Sequence, residues 1–291
     1  MSRHRFVGVV SAVSVAALLS SCSFVERKGV DTLQPVLKHT VDNLMGFQSA
    51  SVAKEGLPGN ALLISALVEF SPNNDKLLAL ASEAYAAWGL ILEWEDANFA
   101  AEIYEIGRDY GLRALKVRNR EIRKGLESGK HMIDLAQYLK KGDVPAAFWY
   151  GLNAGLRVML EMDDPNILIG IGDATRTFDR LIVLDDTYFN YAPHLFQGAY
   201  AIIAGPMLGG GTEKAKNEFA FAFKKTENKF LLAHVFYARY YATGVYDEAL
   251  FDKTIDFVLK TPANVMPEMQ LANDISKRKA LWLKNNKNKF F

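Results

Sequence analysis

Apolar side chains recur at helical spacing along almost the whole chain after its N-terminal segment. Two examples are the sets Leu33, Leu37, Val41 and Leu44, and Leu77, Leu80, Ala81 and Ala84. This spacing places each set on one face of an α-helix, whereas the alternation that marks a half-buried strand is nearly absent. The pattern therefore predicts an all-α protein.

Helix-breaking residues divide this pattern into pieces of helical length. They cluster at residues 56–60, 71–74, 142–145, 163–166, 185–187, 205–211, 244 and 261–262. Gly, Pro, Asn and Asp favour turns over helix interiors. The breaks therefore predict roughly ten helices joined by short turns, as in a helical bundle or superhelix.

The N-terminal segment has the order of a secretion signal. Arg3 and Arg5 precede the 14-residue run FVGVVSAVSVAALL, and LSSC then ends at Cys22. The run is too short for a permanent transmembrane helix, and a basic flank, an apolar run and small residues are typical of a signal peptide. Its end resembles a bacterial lipobox, in which Leu19 holds the first position and Cys22 becomes lipidated. The alternative is an ordinary signal peptide with a coincidental cysteine.

The lipobox divides the chain into three expected parts. These are a signal peptide at residues 1–21, a lipidated tether at 22–30 and one helical domain at 31–291. Acyl chains on Cys22 would hold the domain on a membrane, because each buried methylene contributes about 0.8 kcal/mol. No later apolar run is long enough to cross a bilayer without a charge or a helix breaker.

Composition narrows the class of partner. The 291 residues are 50% hydrophobic, enough for an ample core, and the formal net charge is +1, which becomes −1 without Arg3 and Arg5. A near-neutral protein lacks the basic surface that nucleic acid requires, so we expect no nucleic-acid partner. The single cysteine excludes a disulfide within the chain and a zinc site built from cysteines.

Some helices carry half of a repeat motif. In tetratricopeptide repeats, a small residue is followed four positions later by an aromatic one in the second helix of each unit. Ala215, Phe219 and Ala222 fit this spacing, and Ala100 and Tyr104 fit it loosely. Because the spacing between the candidate units is irregular, we predict a degenerate tetratricopeptide-like superhelix or bundle.

The segment AIIAGPMLGGGTEKA, residues 201–215, raises the question of a phosphate-binding loop. Gly205 and Gly210 have the spacing of a Walker loop, which continues with Lys and then Ser or Thr and follows a strand. Here Gly211 and Thr212 hold those two positions, Lys214 is displaced, and the preceding residues have a helical pattern. We interpret the segment as a glycine turn followed by a helix that Thr212 caps.

Other catalytic or metal-binding signatures are weak. The histidines form no HExxH pair, and no serine lies in a GxSxG motif. Two acidic clusters, Glu93, Glu95 and Asp96, and Glu161, Asp163 and Asp164, lie at predicted helix ends, where capping and solvation are the ordinary roles. We therefore predict no catalytic residue, no metal site and no cofactor, and we expect the protein not to be an enzyme.

Aromatic and basic residues inside helical runs allow two interpretations. Aromatic side chains of this kind, among them Trp88 and Trp149, fill an ordinary core or line an apolar passage or partner groove. Arginines within apolar runs, among them Arg113, extend to the surface or face a lumen. We select six candidate lining residues: Trp149, Tyr150, Arg157, Phe196, Tyr200 and Arg239.

Several ordered motifs together carry a family resemblance. They are AAFWYGLNAGL at residues 146–156, APHLFQGAY at 192–200, GPMLGGGTEKA at 205–215, ARYYA at 238–242 and LANDISKRKALWL at 271–283. In this order the chain resembles the T-component, or TatT-like, lipoproteins associated with tripartite ATP-independent periplasmic (TRAP) transporters. The similarity is strong from about residue 145 and weaker before it, and the usual Tyr-Trp order is reversed at Trp149 and Tyr150.

The resemblance implies a location, partners and a function. It implies a periplasmic protein that is lipid-anchored to a membrane of the cell envelope, forms homo-oligomers such as trimers, and docks the solute-binding P-component of a TRAP system. It also implies a hydrophobic passage that holds or passes an apolar or amphiphilic ligand. The alternative is a stand-alone envelope assembly factor that binds peptides or lipoproteins in a helical groove.

Overall fold

The computed structural model describes residues 28–161, 169–206 and 209–291, and these ranges contain helices and no strand. The all-α prediction is confirmed. The signal peptide, Cys22 and most of the expected tether lie outside the described residues, as do Asp163 and Asp164. Within the described ranges, no helix is both long enough and apolar enough to cross a bilayer.

The first helix, α1, covers residues 28–45 of the described chain. The N-terminal half continues with α2 Ala50–Phe70, α3 Asp75–Leu92, α4 Ala97–Arg118, α5 Arg120–Glu127 and α6 Met132–Leu135. The C-terminal half contains α7 Val144–Leu160, α8 Ile169–Asp185, α9 Tyr188–Ala204, α10 Thr212–Lys225, α11 Leu231–Phe236, α12 Glu248–Lys260 and α13 Gln270–Asn285. The π-helical segment Tyr237–Ala242 continues α11.

Most predicted breaks separate helices, but the break at residues 56–60 is wrong. The single helix α2 runs through Gly56, Pro58 and Gly59. Pro58 lacks the N–H that would continue the helical hydrogen bonds. The helix continues because its opposite face, including Leu57 and Ile64, is buried and packs on α3.

Sequential helices pack side by side around one large core. The strongest contacts join α3 to α4, α4 to α7, α7 to α8, and α9 to α10. A second, smaller core lies between α11, α12 and α13. In the pairs α3–α4 and α9–α10 an aromatic ring covers a glycine. A Cβ on Gly89 would lie 2.3 Å from the Tyr104 ring, and a Cβ on Gly198 would lie 2.9 Å from the Phe219 ring. Only glycine permits such close approach of helix and ring.

Candidate functional site

An apolar cavity of about 190 Å³ lies between α1, α2, α3 and α13. Its wall is almost entirely hydrocarbon. The principal lining residues are Val41, Leu44 and Met45 of α1, Ala53, Leu57 and Ile64 of α2, Ala84, Ala87 and Leu90 of α3, and Leu271, Ala272 and Ile275 of α13. Apolar space of this kind holds ligands by burial, and a few polar groups fix their orientation.

Small residues on α3 keep this space open. Ala84 and Ala87 face the cavity at helical spacing, followed by Leu90 one turn later. Across the cavity, Gly56 of α2 forms part of the wall without a side chain. The cavity therefore exists because the side chains that face each other across it are small or absent, whereas aromatic rings fill neighbouring parts of the core.

Glu83 of α3 is a charged residue in the lining of the apolar cavity. Its carboxylate is buried and lies 3.6 Å from the Lys38 ammonium, which also pairs with Asp42. Burial raises the pKa of Glu83 to about 7, although the Lys38 charge acts in the opposite direction. Glu83 is therefore a carboxyl group that changes its protonation near neutral pH.

Glu83 and Trp149 also border a second space, which we term the outer groove. This groove lies between α1, α3 and α7, and its polar lining includes His39, Asp42 and Arg118. Glu83 and Trp149 line both the apolar cavity and the outer groove, and we term these two shared residues the partition.

A left-handed turn supports this partition from α9. Phe189, Asn190 and Tyr191 have positive φ angles of 46°, 58° and 61°. Such angles are strained for residues with side chains and concentrate at functional sites. The turn places the Phe189 ring 5.1 Å from the Trp149 ring, edge to face, and Phe189 lines the apolar cavity as well.

Lys279 of α13 is the second charged residue in the lining of the apolar cavity. Its ammonium is buried, pairs with Glu93, and lies 4.9 Å from the centre of the Phe236 ring. Glu93 also accepts a hydrogen bond of 2.7 Å from the Tyr104 hydroxyl. Burial lowers the pKa of Lys279. Sequence reasoning placed Glu93 at a solvated helix end, which is wrong: its exposed fraction is 8%.

Of the six candidate lining residues, Trp149 lies at the apolar cavity, and the other five are absent from its described lining. Phe196 and Tyr200 are buried among rings with Phe178 at centroid distances of 5.7 and 5.5 Å. Tyr150 is buried, and its hydroxyl donates to Asp173 across 3.4 Å. We term the packed region of Phe148, Phe178, Phe196 and Tyr200 the aromatic core.

The two candidate arginines lie near the surface rather than in the apolar cavity. Arg157 is partly buried and forms ion pairs of 2.9 Å with both Glu105 and Glu161. Arg239, in the π-helical segment, stacks on the rings of Tyr240 and Phe290 at 5.0 and 4.5 Å. The Arg157 charge is therefore paired with carboxylates, whereas the Arg239 guanidinium lies against aromatic rings.

The glycine-rich segment forms the predicted turn. Gly205, Gly209 and Gly211 have φ angles of 63°, 78° and 118°, which favour glycine, and the helix α9 precedes them. One detail is wrong: Gly211 is the N-cap of α10, and Thr212 is its first residue and provides no capping hydrogen bond. Lys214 instead lies 3.3 Å from Asp179.

The other two residues of the first predicted acidic cluster, Glu95 and Asp96, have structural partners. Asp96 caps α4 by accepting from the Phe99 N–H, and Glu95 pairs with Lys54. Among the described residues, no group of three or more His, Cys, Asp or Glu side chains could hold a metal ion. Sequence reasoning missed Glu83, a charged residue inside the apolar run of α3, and Lys279, whose basic neighbours in α13 give no such signal.

Comparisons with known proteins give one informative match. The family model described as TRAP transporter T-component matches residues 49–291, which is most of the chain. A search among curated proteins finds no match. The matched range includes α2, α3 and α13, and hence three of the four helices that surround the apolar cavity.

Proposed function

Because the chain belongs to the T-component family of TRAP transporters, we propose that it is the scaffold of such a system. In this role it docks the solute-binding P-component and holds, or passes on, an apolar or amphiphilic ligand. The observation that carries the proposal is the apolar cavity, which shares Glu83 and Trp149 with the lining of the outer groove. A ligand would move between the two spaces when this partition opens.

The tetratricopeptide-like arrangement is part of the proposal. Two helix pairs, α3 with α4 and α9 with α10, share one contact, in which an aromatic residue of the second helix covers a glycine of the first. Repeated contacts of this type would stack helix pairs into a superhelix with a concave face for a protein partner. We assign P-component docking to such a face.

Lipid anchoring through Cys22 is the second part. We propose that residues 1–21 are removed, that 22–30 form the tether, and that the domain lies in the periplasm. Cys22→Ser should abolish acylation and leave precursor or unanchored protein. Detergent-phase partitioning measures this, and a variant that partitions like the wild type would exclude Cys22 as the anchor.

Self-association is the third part. One face of α2 exposes Val52, Leu63 and Phe70, with exposed fractions of 59%, 53% and 49%, and Gly56 and Gly59 lie between them. We propose that this face joins copies of the chain. Leu63→Glu should then reduce the oligomer mass measured by light scattering, and Val183→Glu, at an exposed position of α8, should not. An unchanged mass for Leu63→Glu would move the interface elsewhere.

The decisive experiment measures affinity for the P-component together with melting temperature. Trp149→Ala alters the partition and removes a buried ring, so both quantities should fall. Arg157→Ala removes a partly buried charge beside Glu105, and if Arg157 orients a partner or ligand, binding should fall with little loss of stability. Should both variants melt early yet bind normally, Trp149 and Arg157 would have structural roles only.

A further inference from the structure

The apolar cavity reaches the surface of the protein along α2. The exposed residues in its lining are Phe47, just before α2, and Val52, Gly56 and Asn60 of α2, whereas the rest of the lining is buried or half-buried. Val52, Gly56 and Asn60 are four residues apart, so they lie along one edge of the helix. A Cβ on Gly56 would meet no atom within 4 Å. We term this opening the mouth of the cavity.

The same part of α2 carries a heptad pattern, which we term the seam. Its residues are spaced alternately by four and three positions, and all of them are exposed: Val52, Gly56, Gly59, Leu63, Ala66 and Phe70. Apolar positions with this spacing pack against a partner helix in coiled coils. Because Val52 and Gly56 belong to both the mouth and the seam, a helix that packs on the seam also covers the mouth.

The charges beside the seam indicate its occupant. Glu55 and Glu69 flank it, and the exposed positions of α2 include no lysine or arginine. The two carboxylates would repel an anionic membrane surface or an acidic partner. The uncharged seam of a second copy instead buries apolar surface and leaves both carboxylates in water. A second copy of the chain is therefore the occupant that fits.

The same carboxylates favour parallel pairing of the two α2 helices. An antiparallel pair would bring Glu55 of one copy toward Glu69 of the other, and like charges at flanking positions are unfavourable. In a parallel pair these glutamates face the flanking positions Ala53, Asn60 and Leu67, which carry no charge. Parallel pairing places each seam residue against the same residue of the other copy, so the two mouths face each other.

The size of the exposed face predicts reversible association. Its apolar side chains present on the order of 400 Å², a size at which exposed patches mark interaction sites. Two such faces together bury about 800 Å², which is less than the about 1,200 Å² of stable interfaces. The copies should therefore pair and separate as the protein concentration changes.

On the basis of the proposed function, in which α2 joins copies and the cavity holds an apolar or amphiphilic ligand, we propose that a second copy closes the cavity. Its seam covers Val52 and Gly56 and completes the wall at the mouth. The paired protein retains the ligand, and separation of the copies releases it.

Brominated alkyl compounds test this coupling, because bromine quenches nearby tryptophan fluorescence and Trp149 lines the cavity. The full chain in amphipol is loaded with 1-bromododecane or 12-bromododecan-1-ol, and excess unbrominated dodecan-1-ol then displaces the probe. Recovery of fluorescence gives the release rate, and Trp149→Phe identifies the signal. Release should become at least about tenfold faster when the wild type is diluted until light scattering detects single chains.

Matched variants separate pairing from other effects. Leu63 lies in the seam but not in the described cavity lining, so Leu63→Glu should separate the copies and give fast release at every concentration. Val183→Glu, at an exposed position of α8, should behave like the wild type.

A cross-link holds the pair closed. In a parallel pair, Ala66→Cys places two thiols opposite each other, and oxidation should join the copies by a disulfide. Release should then stay slow on dilution until a reductant is added. The wild type under the same oxidant controls for Cys22, and absence of the Ala66→Cys disulfide would exclude the parallel seam.

The outcomes separate closure from the proposed function. If neither probe quenches the wild type, ligand holding by the cavity fails, and closure fails with it. If Leu63→Glu leaves the mass unchanged, α2 does not join the copies and cannot close the cavity. If Leu63→Glu separates the copies but release is no faster, the proposed function stands and closure by a second copy is wrong.

Discussion

The aromatic core and the apolar cavity are both hydrophobic, yet one is filled and the other is open. In the aromatic core, Phe178 contacts Phe148, Phe196 and Tyr200 at centroid distances between 5.5 and 5.7 Å. In the cavity, the positions that could have been filled carry Ala84, Ala87 and Gly56. Aromatic side chains therefore fill one region of the hydrophobic interior, and small residues leave the other open.

The largest expected effect comes from the aromatic core. Phe196→Ala should lower the free energy of unfolding by about 3–5 kcal/mol, because a fully buried ring is removed from a packed site. Urea unfolding measures this loss, and Val183→Ala at an exposed position should change stability by less than about 0.5 kcal/mol. A Phe196→Ala loss below about 1 kcal/mol would show that the aromatic core is not tightly packed.

Glu83, in the lining of the cavity, should make the free energy of unfolding depend on pH. Folding raises the pKa of Glu83 from 4.5 to about 7, so the native state binds the proton more tightly than the unfolded state. This stabilisation is complete below pH 4.5 and is lost as pH rises through 7. At about 1.4 kcal/mol per pKa unit, the loss is on the order of 3 kcal/mol.

Glu83→Gln tests this dependence, because an amide does not titrate. Relative to the wild type, the variant should gain stability between pH 5 and pH 8 in urea unfolding. Parallel pH profiles for wild type and Glu83→Gln would show that Glu83 keeps an ordinary pKa.

Two glycines in helix interiors sharpen the contrast between filled and open regions. Gly89→Ala should cost about 2 kcal/mol, because its Cβ would lie 2.3 Å from a Tyr104 ring atom. Gly59→Ala meets no atom within 4 Å and should stabilise α2 by about 0.5–1 kcal/mol. Thermal denaturation of both variants measures the difference, and equal effects would contradict the close contact between α3 and α4.

The smallest stability effect is expected from filling the cavity. Ala87→Leu adds hydrocarbon to open space, so the melting temperature should stay within a few degrees of the wild type or rise, with a stability change of less than about 1 kcal/mol. Quenching by 1-bromododecane should nevertheless disappear, because the added side chain occupies the ligand space. A large drop in melting temperature would show that Ala87 faces a filled core.

The sequence predicted the helices and the glycine turn better than it predicted the cavity between the helices. Helical spacing predicted the all-α fold because it depends on which residues are apolar, and the glycine turn followed from backbone freedom at Gly205 to Gly211. The false break in α2 has a tertiary cause, since burial of Leu57 and Ile64 outweighs the effect of Pro58. The location of the apolar cavity could not be predicted, because it depends on the distances between four packed helices and not on any one motif.

The buried charged residues also depend on contacts that the sequence alone does not reveal. Glu93 at a helix end was interpreted as solvated, because nothing local reveals that Lys279, far along the chain, packs against it. Trp149 was selected together with five residues outside the described cavity lining, since an aromatic residue in a core and one in a lining have the same helical spacing. The roles of Tyr150, Arg157, Phe196, Tyr200 and Arg239 in binding stay predictions.

Anomalous diffraction from crystals soaked with 12-bromododecan-1-ol tests the central claim most directly, because bromine reports its own position. The account predicts one bromine peak per chain inside the apolar cavity between α2 and α3. Bromine found only among the rings of the aromatic core, or only on the outer surface, would contradict the claim that this cavity holds the ligand.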